Sequence, residues 1–109
     1  MAEEFYTVQA DIGNTIDVAV HTNNTSNRQI IILCQVANID GTTQAELSMD
    51  VYDSSESTAK ALVSTLTVPA DTAVNPIGGK LVLEPGDAIR AWADTASLLE
   101  INISYLELS

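Results

Sequence analysis

The chain predicts an all-β domain, an antiparallel β-sandwich of seven or eight strands. Three observations point there. Apolar residues recur with a period of two along most segments, turn-forming residues interrupt them every ten or so positions, and no stretch carries apolar residues at helical spacing over three turns. A jelly roll falls within this class, with a small barrel as the other architecture such a pattern allows.

Phe5 to Ala10 and Thr15 to Val20 read as short strands either side of Gly13-Asn14, and the polar run His21 to Asn27 suits an exposed loop. Arg28 to Asn38 is apolar on both parities, with Ile30, Ile32, Cys34 and Val36 on one and Ile31, Leu33 and Ala37 on the other. A strand covered on both faces reads this way. An isolated sandwich needs only one buried face per strand, so a loop, the N-terminal arm or another chain is expected on the second. Asn38 to Thr43 contains the Asp40-Gly41 pair of a tight hairpin, predicting an antiparallel pairing with the next strand. That strand is Gln44 to Tyr52, where Ala45, Leu47, Met49 and Val51 alternate with Gln44, Glu46, Ser48, Asp50 and Tyr52.

Ala59 to Val68 is β-branched and ends at Pro69, whose missing N–H stops a ladder. Single helical turns fit only Asp53 to Ala59 and Ala70 to Val74. Lys80 to Leu83 and Ala88 to Asp94 flank Glu84-Pro85-Gly86-Asp87, a type II turn that makes a hairpin or a corner. Leu99, Ile101, Ile103 and Tyr105 alternate with Glu100, Asn102 and Ser104 in a last strand running almost to Ser109.

At 109 residues, with no stretch suited to separate two cores, the chain is expected to form one domain over 1–109, with residues 1–7 as a candidate N-terminal arm. A chain of this size buries roughly 65% of its unfolded surface, enough for an unaided core. The residues are 46% hydrophobic but only 5% aromatic, so Ile, Val, Leu and Ala build that core, which favours sheets. Four Lys and Arg stand against 15 Asp and Glu, and the net charge of -11 makes a phosphate backbone or an anionic membrane an unfavourable partner. Cys34 is the only cysteine, so no intrachain disulfide is available, and its apolar surroundings predict a buried thiol. Met1-Ala2-Glu3-Glu4 has neither the basic region nor the apolar run of a signal peptide, and no 18 consecutive residues are apolar. Synthesis in a cytoplasm as a soluble protein is expected.

Catalytic chemistry finds little to work with. His21, the only histidine, stands at the edge of a polar loop without a Gly-x-Ser-x-Gly context, and one His with one Cys cannot build a zinc site. Asp40, Asp50, Asp53 and Glu56 are oxygen ligands for calcium, but their spacing matches no EF-hand loop and reads as scattered surface acids. Gly78-Gly79-Lys80 lacks the first glycine of a phosphate loop and leads into a strand. No enzyme, cofactor or metal is therefore expected.

Contact residues are easier to nominate. Trp92 falls on the polar face of its strand with Ala88, Arg90 and Asp94, either stacking on Arg90 as a cap or anchoring a protein or sugar contact. Phe5 and Tyr6 in the arm, and Ile31 and Leu33 on the doubly apolar strand, complete the interface candidates. His21, Asn23, Asn24 and Asn27 give one loop a polarity suited to sugar hydroxyls, although asparagines are also ordinary turn residues.

Taken in order, Val36-Ala37-Asn38-Ile39-Asp40-Gly41-Thr42, Val68-Pro69-Ala70-Asp71-Thr72 and Gly78-Gly79-Lys80-Leu81-Val82-Leu83-Glu84-Pro85-Gly86-Asp87 resemble small virion structural proteins of tailed bacteriophages. The likeness spans Arg28 to Ser109. It implies a β-sandwich that decorates the capsid exterior as a cement protein, often trimeric, bound to the major capsid protein or another virion protein. The alternative it implies is a tail- or head-fibre module that binds host-surface carbohydrate.

Overall fold

The computed structural model describes residues 3–15 and 18–108. Nine strands are found there: β1 (Glu3–Ile12), β2 (Ala19–Thr22), β3 (Arg28–Asn38), β4 (Ala45–Asp53), β5 (Thr58–Val68), β6 (Ala73–Val74), β7 (Leu81–Leu83), β8 (Ala88–Ala93) and β9 (Leu99–Leu108). They form two antiparallel sheets, as alternation with frequent turns predicts. In the first, which we call the β3 sheet, β1-β9-β3 run side by side and both β6 and β7 pair with the far edge of β3. The second, the β4 sheet, has the order β2-β8-β4-β5.

The core lies between the sheets and is aliphatic. Ile31, Val36, Ile101 and Ile103 from the β3 sheet meet Leu47, Met49, Ile89 and Ala91 from the β4 sheet, all buried. Cys34 belongs to this layer at 2% exposure. Burial pushes its pKa up from 9.0 to about 11, because a thiolate is poorly solvated there. The folded state thus holds the thiol proton more tightly than the unfolded state. That contribution to stability is complete below pH 9 and is lost as the pH rises towards about 11. Native protein at about pH 8 is expected to resist alkylation by iodoacetamide and to react fully once unfolded in guanidinium, as mass spectrometry would record.

Four sequence expectations are corrected. The Asn38–Thr43 connection does not close a hairpin, because β3 and β4 lie in different sheets. Among the chain's glycines only Gly86 takes a positive φ, +91°, so Gly41 does not adopt the conformation a tight hairpin requires. Asn38 makes the corner instead. Its buried amide donates to Thr43 O (2.9 Å) and Val68 O (3.1 Å) and accepts from Asp40 N (2.9 Å), tying β3 to the connection and to β5 of the other sheet at once. Glu84–Asp87 is the expected turn, with Asp87 N donating to Glu84 O at 3.0 Å, and of its two options it makes the corner. Asp87 fastens this corner by accepting from Glu84 N at 3.0 Å and Ser54 N at 3.1 Å.

The second correction is a strand that the sequence reading did not place. Ala73–Val74, where a helical turn was one option, is strand β6, and β6 and β7 are two pieces of one interrupted edge. Pro76 lies in the interruption and has no N–H for a ladder. Third, His21 and Thr22 continue β2 rather than opening the loop. Of the strand predicted over Thr15 to Val20, residues 16 and 17 lie outside the described residues.

The fourth correction is a β-bulge in β3. Against β9 the register is Ile31↔Tyr105 but Leu33↔Ser104, so Ile32 is an extra residue. Inward-facing positions are odd before it (Gln29, Ile31) and even after it (Cys34, Val36, Asn38), which are all buried. Sequence parity put Ile31 and Leu33 on one face. The bulge separates them, sending Ile31 into the core at 0% exposure and leaving Leu33 outside at 44%.

Candidate assembly face

The bulge leaves the β3 sheet with an apolar outer surface that nothing in the described chain covers. Residues directly opposite one another in an antiparallel ladder share a face. Phe5 faces Leu106, Leu106 faces Ile30, and Ile30 faces Val82, so one apolar row crosses β1, β9, β3 and β7. Phe5 is 71% exposed and Val82 47%, while Leu106 and Ile30 are half-buried by their neighbours. Leu33 and Ile32 lie beside the row and are exposed as well. This is the second face of the doubly apolar strand.

Polar residues border the row on both sides. Glu3 and Arg28 stand above it, flanking Leu108 in register, and Arg28 Nε lies 3.0 Å from Glu84 Oε1. Thr7 and Ser104, then Gln9, Asn102 and Gln35, stand below it. An apolar centre within a polar rim is the layout of a protein contact surface. Leu106, Ile30 and Val82 were not among the sequence candidates. Leu106 and Leu108 did carry a signal, since they place leucines on the parity that Glu100, Asn102 and Ser104 had marked as solvent-facing.

Where β6 gives way to β7, the row ends at a hollow of about 360 Å³ lined by Ile32, Leu33, Cys34 and Ile77, with Lys80 and Asn75 beside them. On this edge β3 pairs with β7 at Gln29–Ile31 and with β6 at Val36 and Ala37, so its residues 32–35 have no strand partner there.

The other candidates fall elsewhere. Phe5 and Tyr6 lie in β1, paired along β9, and residues 1 and 2 of the candidate arm are outside the described residues. Tyr6 turns towards the opposite face from Phe5. There it stacks on Tyr105 with centroids 5.3 Å apart, and His21 lies 4.6 Å from Tyr105 on the other side. The Tyr6 hydroxyl donates to Glu4, a bond that pushes its pKa up to about 12. His21 Nε2 meets Gln29 Oε1 at 2.7 Å, and Gln29 Nε2 donates to Glu107 Oε1 at 2.9 Å. This network closes one end of the sandwich.

Trp92 lies half-buried on the outer face of the β4 sheet, opposite Ser48, with Arg90 on the same face as its position predicts. Arg90 Nε and Nη2 each donate to Asp50 at 2.7 Å, and the guanidinium carbon stands 5.9 Å from the Tyr52 ring centroid. Of the calcium candidates, Asp50 is thus held in an ion pair, while Asp40 and Asp53 stand at opposite ends of β4, on the order of 30 Å apart by strand rise. Asp53 accepts from the Ser55 hydroxyl, which lowers its pKa. Among the described residues no three His, Cys, Asp or Glu side chains gather as a metal set. Asn23 is buried and held by its own loop and by β7, donating to Asn27 O at 2.8 Å and Leu83 O at 3.0 Å, so it is unavailable to a sugar.

These features define an antiparallel β-sandwich with one sheet open on its outer side. Solved structures share that fold. The core of Drosophila NLP is similar with a TM-score of 0.56 at 12% identity, over 99% of this chain and 98% of that one. A protein of Bacillus endospore appendages matches at 0.54 and 15%, over 99% of this chain and 88% of that one. The infectious bursal disease virus VP2 subviral particle matches at 0.51 and 10% over 96% of this chain, which spans about a third (32%) of the viral one. At such identities the likeness is one of fold. No family model matches the chain, and no curated protein matches it.

Proposed function

We propose that this chain is a non-enzymatic structural subunit of a bacteriophage virion, a cement protein on the capsid exterior that bridges and stabilises major capsid subunits. The observation that carries this reading is the row Phe5–Leu106–Ile30–Val82, an apolar surface within a polar rim left open by its own chain. The strand order β1-β9-β3-β6/β7 over β2-β8-β4-β5, which takes β6 and β7 as one strand, supports a jelly roll. The fold recurs in proteins described as disulfide-linked pili, as a subviral particle and in connection with pentamer formation, all of them assemblies. Disulfide linkage is not open to this chain while Cys34 stays buried, so its assembly rests on apolar and ionic contact.

A trimer is the oligomer the sequence resemblance implies, and light scattering distinguishes three from five copies of an 11.6 kDa chain. The decisive measurement is co-sedimentation of the purified protein with assembled capsids that carry no decoration. Saturable binding is expected, weakened at least tenfold by Val82→Asp, which puts a charge at the β7 end of the row. Failure to bind, together with a hit on a glycan array, would replace this reading by the fibre or carbohydrate-binding one.

A further inference from the structure

We propose that copies of this chain join head to tail, Phe5 of one copy seating in the hollow beside the β6–β7 break of the next, so that the subunits close into a ring. This rests on the structural-subunit reading and names the contact that builds its oligomer. Phe5 is the most exposed large apolar side chain described, and it sits on β1, one edge of the β3 sheet. The hollow lies at the opposite edge, where Ile32, Leu33, Cys34 and Ile77 line it. Knob and hole therefore belong to one sheet but lie at opposite ends of its width. Such a pair cannot satisfy itself within one molecule. Seated one junction at a time it makes a heterologous contact, which propagates until rotation closes a ring, whereas seating both at once across a two-fold axis stops at a dimer, an outcome that the mass separates from the ring.

Size and charge both fit. An enclosed apolar cavity of about 150 Å³ is enough to take up benzene, and this more open hollow measures about 360 Å³. At -11 per chain, most ways of apposing two copies are repulsive. Lys80, one of only four Lys and Arg in the sequence, stands at the hollow, while Glu3 shares the outer face with Phe5 two residues away. Seating Phe5 brings Glu3 towards Lys80, an attraction that opposes this repulsion. The second copy is thus the occupant that the chemistry selects.

The test uses the full chain and two variants, Phe5→Asp without the knob and Leu33→Asp without the hole. Both positions are exposed, and circular dichroism with thermal unfolding would verify that each variant folds. Wild type is expected to run as a closed ring in sedimentation velocity, with a mass of at least three times 11.6 kDa. Each variant alone is expected to be monomeric, its junction weakened by roughly ten- to a hundredfold. Mixed in equal amounts they retain one intact junction and are expected to form a heterodimer and nothing larger. Lys80→Glu is expected to loosen the ring and Glu3→Lys in the same chain to restore it. A monomeric or dimeric wild type, variants that stay in rings, or a mixture without heterodimer would each overturn the proposal. A monomer that still decorates capsids removes the ring and leaves the cement reading standing, whereas a ring indifferent to capsids does the reverse.

Discussion

Ile31→Asp is expected to leave the protein unfolded at room temperature, while Leu33→Asp, two positions along the same strand, folds with a monomer stability within about 1 kcal/mol of wild type. The Ile31 side chain is fully buried between the sheets. Removing it forfeits about 1.5–3 kcal/mol of apolar burial, and the new carboxylate adds several more for leaving water without a partner. Total stabilities on the order of 5–15 kcal/mol leave little margin against that sum. Leu33 lies past the bulge and is 44% exposed, so an aspartate there reaches solvent. Urea unfolding followed by circular dichroism, at concentrations low enough for dissociation, measures both variants. Equal damage from the two would mean that the bulge at Ile32 does not divide their faces, and the apolar row would lose its geometric basis.

The second large effect belongs to the Arg90–Asp50 pair. Arg90→Met is expected to destabilise the fold by about 3 kcal/mol, the lower end for a buried pair losing one partner, since the arginine side chain is 23% exposed. In a domain of this size that lowers Tm by roughly 15 °C. Asp50 is 7% exposed and takes both of its 2.7 Å bonds from this one guanidinium. The residues opposite the pair, Ala19 on β2 and Ala61 on β5, are too short to replace those bonds. Adding Asp50→Leu to Arg90→Met removes the stranded charge, and scanning calorimetry is expected to show most of the lost Tm recovered. If the single variant melts like wild type, solvent already screens the pair and it contributes little.

These two experiments probe opposite outer surfaces. The β3 sheet turns an apolar row outward, while the β4 sheet carries an ion pair, Tyr52 and a half-buried Trp92 among alanines. Among the described residues, only the first has the uncovered apolar area and the complementary hollow that self-assembly needs. Trp92 stays a contact candidate on the other side, which would be free in a ring built through the β3 sheet.

Much of the architecture was legible in the amino-acid order. Alternation over Gln44 to Tyr52 and Leu99 to Tyr105, the turn at Glu84–Asp87 and the absence of helical spacing determined the class and most strand positions, since a period of two follows from local backbone geometry. The excess of apolar residues over Arg28 to Asn38 announced that a second surface would need covering. Which residues make that surface was decided only in three dimensions. The bulge that parts Ile31 from Leu33 exists because β3 meets β9, and Ile30 joins Leu106 and Phe5 through hydrogen bonds between segments distant in sequence. The assignment of β3 and β4 to different sheets depends likewise on the Asn38 amide reaching Val68. Local periodicity says that a residue has a sheet face to occupy, but strand partners and register determine which face, because one extra residue reverses every side chain after it.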